Sequence, residues 1–282
     1  MHRSNHTFKQ SMKRTPEELA QTKRFEQSYT NLQADVMLSI ERQVCGCDYG
    51  GNSWTTRGEA EQIETLLGLR PGIHLLDLGA GSGWPGLYLA KRSGCDLTLL
   101  DLPFTGLQIA AQRARDDRMS GACGITCADA TNMPFGDACF DAISHSDLLC
   151  CLKGKRAVLE ACRRVLRRGG RMVFTVISLA ANLSPTERVS ALQAAPEFAE
   201  SEMDYATLLS QTGWSVIDYQ DVSTAYAESS RRQQEAMKAN RGDVIAIIGE
   251  ADYANRLARY VSKVSALTEG RLQRQMFVAG IA

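Results

Sequence analysis

The sequence predicts an α/β protein, a seven-stranded and mostly parallel sheet flanked by helices, and three observations carry that prediction. An apolar run from His74 to Leu78 breaks into alternating glycines at Gly79, Gly81 and Gly83, then resumes with Leu87 and Ala90 at helical spacing, the pattern of a strand, a tight loop and a helix start. Further short apolar runs alternate with helical patterns along the chain, as strand-helix-strand units do. The 282 residues, 44% of them hydrophobic, are ample for one such core with an elaboration.

The glycine loop narrows the ligand. Alternating glycines let the backbone approach a ligand closely, and the helix that follows offers unpaired N–H groups at its positive end, which suits a nucleotide-like molecule. Two patterns overlap on the same letters: Gly81-x-Gly83-x-x-Gly86 satisfies a dinucleotide fingerprint, whereas Asp77-x-Gly79-x-Gly81-x-Gly83 places a carboxylate before the glycines. An anion there repels a diphosphate and favours a ligand carrying an ammonium and a sulfonium. S-adenosyl-L-methionine has both charges and no phosphate. On these residues the chain resembles the class I S-adenosylmethionine-dependent methyltransferases, whose first motif is an acidic residue followed by Gly-x-Gly-x-Gly. The resemblance implies a Rossmann-like fold with Asp77, Gly79, Ala80, Gly81 and Gly83 at the cofactor.

Before this loop, residues 1–14 are polar and basic and read as a mobile leader, in which His2 and His6 have no ligand-like context. Residues 15–68 read as an N-terminal helical lid segment. Thr15-Pro16-Glu17-Glu18 is a capping box with proline at the first helical position, and Leu32, Val36, Met37 and Ile40 extend a helical pattern that an interruption near Tyr29 would divide. The glycine-rich stretch Cys45 to Trp54 precedes a second capping box at Thr56 to Glu59. Its Tyr49 and Trp54 are candidates to cover the sulfonium or the substrate, since aromatic faces attract cations; anchoring the loop to the core is the competing role.

Residues 69–222 read as the cofactor-binding core. After the glycine loop, Leu97 to Asp101 forms the second strand, with Asp101 about 20 residues beyond the glycines, where a carboxylate accepts both ribose hydroxyls. That role is common to nicotinamide enzymes and methyltransferases, and capping of the next helix is its structural alternative. The third strand, Gly124 to Ala128, is followed by Asp129-Ala130-Thr131-Asn132-Met133-Pro134-Phe135. This is similar to the methyltransferase arrangement in which an acidic residue accepts from the adenine amino group, and the resemblance puts Leu102, Asp129, Ala130 and His145 at the cofactor. Phe140 to His145 is the fourth strand. The turn Leu166-Arg167-Arg168-Gly169-Gly170 before a fifth strand, Arg171 to Val176, resembles that of ubiquinone-, sterol- and sarcosine-type small-molecule methyltransferases. The arginines at 163, 164, 167, 168 and 171 suit a solvated helix C-terminus.

Trp214 to Tyr219 reads as a sixth strand and Gln275 to Ala279 as the last, within residues 273–282. Residues 223–272 form a helical insertion that the resemblance places over the acceptor as a lid, together with the segment from Ala180 to Ser201.

Methyl transfer requires alignment and exclusion of water more than a strong base. Where a base is needed, His145 is the candidate, with Asp147 orienting or charging it. Cys45, Cys47, Cys150 and Cys151 raise an arsenite-type alternative in which thiolates from the lid and the fourth strand meet. A nicotinamide oxidoreductase and a noncatalytic adenosylmethionine-binding protein are the remaining alternatives. Thirty-two Lys and Arg balance thirty-two Asp and Glu, so a polyanion partner is not expected, and no nucleobase-amine signature of the Asn/Asp-Pro-Pro-Tyr/Phe type is present. Nine cysteines without C-x-x-C pairs, no signal peptide and no long apolar run predict a reduced cytoplasmic protein without a membrane segment. The expected partner is a small-molecule substrate, the expected state a monomer or homodimer, and no metal ligands are assigned.

Overall fold

The structure, a computed structural model, describes residues 14–282; the leader expected at 1–14, with His2 and His6, lies outside the described residues except for Arg14. Helix α1 (Pro16–Leu32) starts on the predicted box, the Thr15 side chain accepting from the Glu18 amide and Glu18 accepting from the Thr15 amide. It runs unbroken past Tyr29, contrary to the expected interruption, because nothing between Glu17 and Leu32 is glycine or proline. The break falls at Gln33 and Ala34, before α2 (Asp35–Cys45). Helix α3 (Arg57–Leu67) starts on the second box and ends on left-handed Gly68.

The core then alternates β1 (His74–Leu78), α4 (Gly86–Ser93), β2 (Asp96–Asp101), α5 (Phe104–Asp116), β3 (Cys123–Cys127), β4 (Phe140–Ser146), α6 (Lys155–Val165) and β5 (Leu166–Leu179). Helices α7 (Pro185–Ala194) and α8 (Tyr205–Gln211) lead to β6 (Trp214–Asp221). The insertion forms α9 (Ser223–Ala239), α10 (Arg241–Ile248) and α11 (Glu250–Thr268) before β7 (Leu272–Ile281).

These strands make one seven-stranded sheet in the order β3-β2-β1-β4-β5-β7-β6. Strands β1 to β5 pair in parallel, and β7 runs antiparallel between β5 and β6. Both faces are covered, as parallel sheets require: Leu76, Ile143 and Phe174 face one core, while their neighbours Leu75, Ala142 and Val173 face the other. Strand order reverses beside β1, which lies between β2 and β4, and this opens the crevice at the carboxyl ends of the strands where ligands bind in such folds. Strand β5 runs past its predicted end because it pairs with β7 from Arg171 opposite Gly280 to Leu179 opposite Leu272, and it starts early where Leu166 pairs with Phe140 of β4.

The arginine cluster lies at the opposite end of the sheet. Arg164 donates to the carbonyls of Met133 and Phe135, Arg163 to that of Gly213, and Arg167 pairs with Asp141 at 2.7 Å, so these side chains tie loops together.

Candidate functional site

Strand β1 carries Asp77 into the interior, where it is 1% exposed. Its carboxylate accepts from the Ser144 hydroxyl at 2.7 Å and the Gly86 amide at 3.2 Å. Burial pushes its pKa up to about 7 against those two bonds. Asp77 therefore braces the first turn of α4 against β4, a contact with the loop itself that the sequence reading, which pointed it at the ligand, did not anticipate. A Cβ on Gly86 would lie 2.5 Å from the carboxylate oxygen and 3.0 Å from the Asp77 Cβ, so Gly86→Ala is expected to displace the loop and weaken cofactor binding at least tenfold, measured by calorimetry with S-adenosylhomocysteine.

Gly79 and Gly81 have φ of +68° and +51°, a region in which side chains are strained. Space is closed there as well: a Cβ on Gly79 would meet Leu148, and one on Gly81 would meet the Tyr29 hydroxyl. Helix α1 thus lays buried Tyr29 directly over the glycine loop. It is held there from a second point, since Glu26 accepts the Phe104 and Thr105 amides at 2.6 and 2.8 Å and caps α5 in place of Asp101.

Freed from capping, Asp101 accepts from the amides of Gly81 and Leu102, each at 2.7 Å, which joins the β2 end to the loop. Burial raises its pKa to about 6, opposed by those two amides. Asp129 folds back on the Thr131 amide and hydroxyl, with Arg14 at 3.8 Å, beside buried Ala130. Ala80 is buried too, its amide donating to Leu100.

Asp77, Asp101 and Asp129 thus stand at the ends of three adjacent strands. Neither Asp77 nor Asp101 has an ion-pair partner among the described residues. Near them the buried Ser82 hydroxyl has no hydrogen-bond partner among the described residues. Tight backbone, unpaired carboxylates and a hydroxyl in want of a partner fit S-adenosylmethionine, whose ribose, ammonium and sulfonium complement all three.

The expected base is corrected. His145 is 0% exposed, stacks on Phe174 at 4.6 Å, and has no partner on either ring nitrogen among the described residues. Burial pulls its pKa down to about 3. Strand parity is the cause: Ser144 faces Asp77, so His145 shares the opposite face with Ile143. Asp147 does not orient it. Its carboxylate accepts from Arg274 at 3.0 to 3.1 Å, and Arg274 also pairs with Glu59 at 2.5 Å and donates to the Thr175 hydroxyl at 3.2 Å. Arg274 went unnoticed because the last strand was expected to start one residue later; the signal available was a lone arginine beside an apolar strand.

Tyr49 and Trp54 take different roles. Tyr49 is buried against Trp84, ring centres 5.2 Å apart, with the Arg113 guanidinium 4.8 Å above it, and so anchors its loop rather than covering ligand. Trp54 lines a cavity of about 80 Å³ with Glu41, Cys45, Arg256 and Tyr260, separated from the glycine loop by Gly51, whose Cβ position is 3.6 Å from the Ser82 hydroxyl. A cavity of this size holds only a few waters.

The cysteines do not gather. Cys150 donates to the Asp147 carbonyl at 3.0 Å, and burial pushes its thiol up and that of Cys45 to about 12. No group of three or more His, Cys, Asp and Glu side chains suited to a metal ion occurs among the described residues, which removes the geometric support for an arsenite-type site.

A family model described as a methyltransferase domain matches residues 76–174. Methyltransferase GfsG of Streptomyces halstedii is 26% identical over 168 residues, 58% of this chain and 60% of that protein. O-methyltransferase resE of Aspergillus sclerotiorum is 26% identical over 201 residues, 69% of this chain and 75% of that one. Among solved structures, a putative sarcosine dimethylglycine methyltransferase from Galdieria sulphuraria superposes with a TM-score of 0.72 at 16% identity, over 78% of this chain and 83% of that one. No helix among the described residues is long and apolar enough to cross a membrane.

Proposed function

We propose, for a chain that belongs to the class I S-adenosylmethionine-dependent methyltransferases, that its acceptor is a small metabolite or natural product methylated at oxygen, nitrogen or carbon. The observation that carries this reading is the pair of carboxylates, Asp77 buried and Asp101 half-buried, that flank the glycine loop with no cation partner among the described residues. S-adenosylmethionine, when bound, supplies an electrophilic methyl group on a sulfonium. Asp101 would hold the ribose hydroxyls and Asp129 the adenine amino group, while Asp77 keeps the loop amides in place and adds negative potential at the end of β1. Tyr29 and α1 close the site against water, which strengthens every charge interaction inside it. The acceptor would lie under Trp54, α9 and α11, beyond the end of β4. With His145 in the core and Asp147 paired, no free carboxylate or imidazole is offered at that strand end among the described residues, so orientation and exclusion of solvent carry the reaction.

Calorimetry on the protein with S-adenosylhomocysteine and with NAD tests the cofactor arm. Binding of the former and none of the latter is expected; tight NAD binding alone would overturn the reading. A radiolabelled methyl-donor assay against metabolite extracts tests catalysis, and cofactor binding without transfer to any acceptor would favour a noncatalytic role.

The two raised carboxylates predict a pH dependence. Asp101 would accept the ribose hydroxyls, and Asp77 would face the cofactor's positive charge, each as the anion, and each folded-state pKa lies above the unfolded value of 3.8, at about 7 for Asp77 and about 6 for Asp101. Ionising them in the empty protein opposes folding as pH rises from about 4 through those values, and bound cofactor relieves that cost. The increase in melting temperature caused by S-adenosylmethionine should therefore grow from pH 5 to pH 8; a shift independent of pH would remove these carboxylates from the interaction.

A further inference from the structure

Beside the cavity under the lid, Lys263 on α11 is enclosed by rings. Its Nζ lies 3.5 Å from the centre of Trp54 and 5.3 Å from those of Tyr226 and Tyr260, and Trp54 packs edge-on against both tyrosines. The ammonium has neither a carboxylate partner nor a hydrogen bond among the described residues. Arg259 and Arg256, one and two turns earlier on the same helix, also form no ion pair among them, and Arg256 lines the cavity itself.

The carboxylates nearby are already answered. Glu41 accepts the Gly50 and Gly51 amides at 2.6 and 3.2 Å, and burial pushes its pKa up. Asp147 and Glu59 are bound to Arg274. Burial first and the Arg259 charge next pull Lys263 down to about 7, against the attraction of Asp147. Among the described residues, a half-buried cation held only by ring faces, with two more unpaired cations along its helix, lacks an anion. Among the described residues the strand end offers no free base either, and an acceptor that binds with an anionic oxygen needs none.

We propose that the acceptor carries an anionic oxygen group, a carboxylate or phenolate on an aromatic or apolar body, which pairs with Lys263 and Arg256 while its body lies against Trp54 and Tyr260. This deepens the methyltransferase reading and rests on it. In the reaction, the acceptor oxygen bonds to the methyl carbon as the carbon–sulfur bond breaks, and the pair of electrons leaves with sulfur. Sulfonium and oxyanion are both neutralised and no proton has to be moved. Lys263 and Arg256 act here as specificity-determining groups, holding the anion where it can react.

The test is calorimetry on the protein saturated with S-adenosylhomocysteine, using three probes of similar shape: benzoate, neutral benzamide and cationic benzyltrimethylammonium. Benzoate is expected to bind at least tenfold more tightly than benzamide, with accompanying quenching of tryptophan fluorescence. Lys263→Met should abolish that preference while leaving S-adenosylhomocysteine affinity unchanged. Arg256→Gln should reduce it severalfold and supplies the test if Lys263→Met fails to fold. Equal affinity for benzoate and benzamide, or tighter binding of the cation to the ring cage, overturns the proposal. Failure to bind S-adenosylhomocysteine at all is a separate result, which would sink the methyltransferase reading instead.

Discussion

Arg274→Met is expected to lower folding stability by about 3–5 kcal/mol, the range for removing one partner from a buried ion pair. The Arg274 side chain is 0% exposed and those of its carboxylate partners, Asp147 and Glu59, are 8% and 11% exposed. Methionine fills much of the volume but leaves both carboxylates without a counter-charge, and the Thr175 and Thr55 hydroxyls without the donor that joins β7 to β5 and to the start of α3. At roughly 2–4 °C per kcal/mol for a chain approaching this length, the melting temperature should fall by roughly 6–20 °C. Asp147→Asn in the same background should cost less than it does alone, because the charge it removes is by then unpaired. A fall of under about 1 kcal/mol, typical of an exposed pair, would show that water reaches this network.

Asp101→Ala is expected to weaken S-adenosylhomocysteine binding on the order of 10²-fold. Two hydrogen bonds to a charged acceptor, at about 1.5–3 kcal/mol each, set that scale, and the variant also leaves the Gly81 and Leu102 amides without their acceptor. Asp101→Asn keeps one acceptor oxygen and should fall between alanine and the parent. The measurement is calorimetric, with a thermal melt alongside to confirm folding. Unchanged affinity in the alanine variant would take the ribose away from Asp101 and leave it a purely structural link between β2 and the glycine loop.

Local signals were legible wherever one backbone rule governs a few neighbouring residues. Thr15 with Glu18 and Thr56 with Glu59 start their helices as read, because a side chain reaching back three residues satisfies orphan amides whatever surrounds it. The glycine loop was legible because its positive φ values leave few residue types able to occupy it. Tyr49 was not, since an aromatic in a glycine-rich loop packs on core or ligand with equal ease, and only the position of Trp84 and Arg113 decided it. His145 was misread although strand parity pointed away from the site: a histidine after an apolar run suggests chemistry, and the ring of Phe174 that takes it into the core comes from another strand.

The sequence by itself determined the order of strands and helices, the glycine cradle and the carboxylates that face it, since these follow from side-chain period and backbone geometry within a few residues. Tertiary structure alone decided that Arg274 meets Asp147 across 127 residues, that Tyr29 seals the loop, and that Lys263 enters a cage of rings from three elements. Such meetings depend on how the helices pack over the sheet, and burial is what turns each of them from a solvated side chain into a group whose charge must be answered.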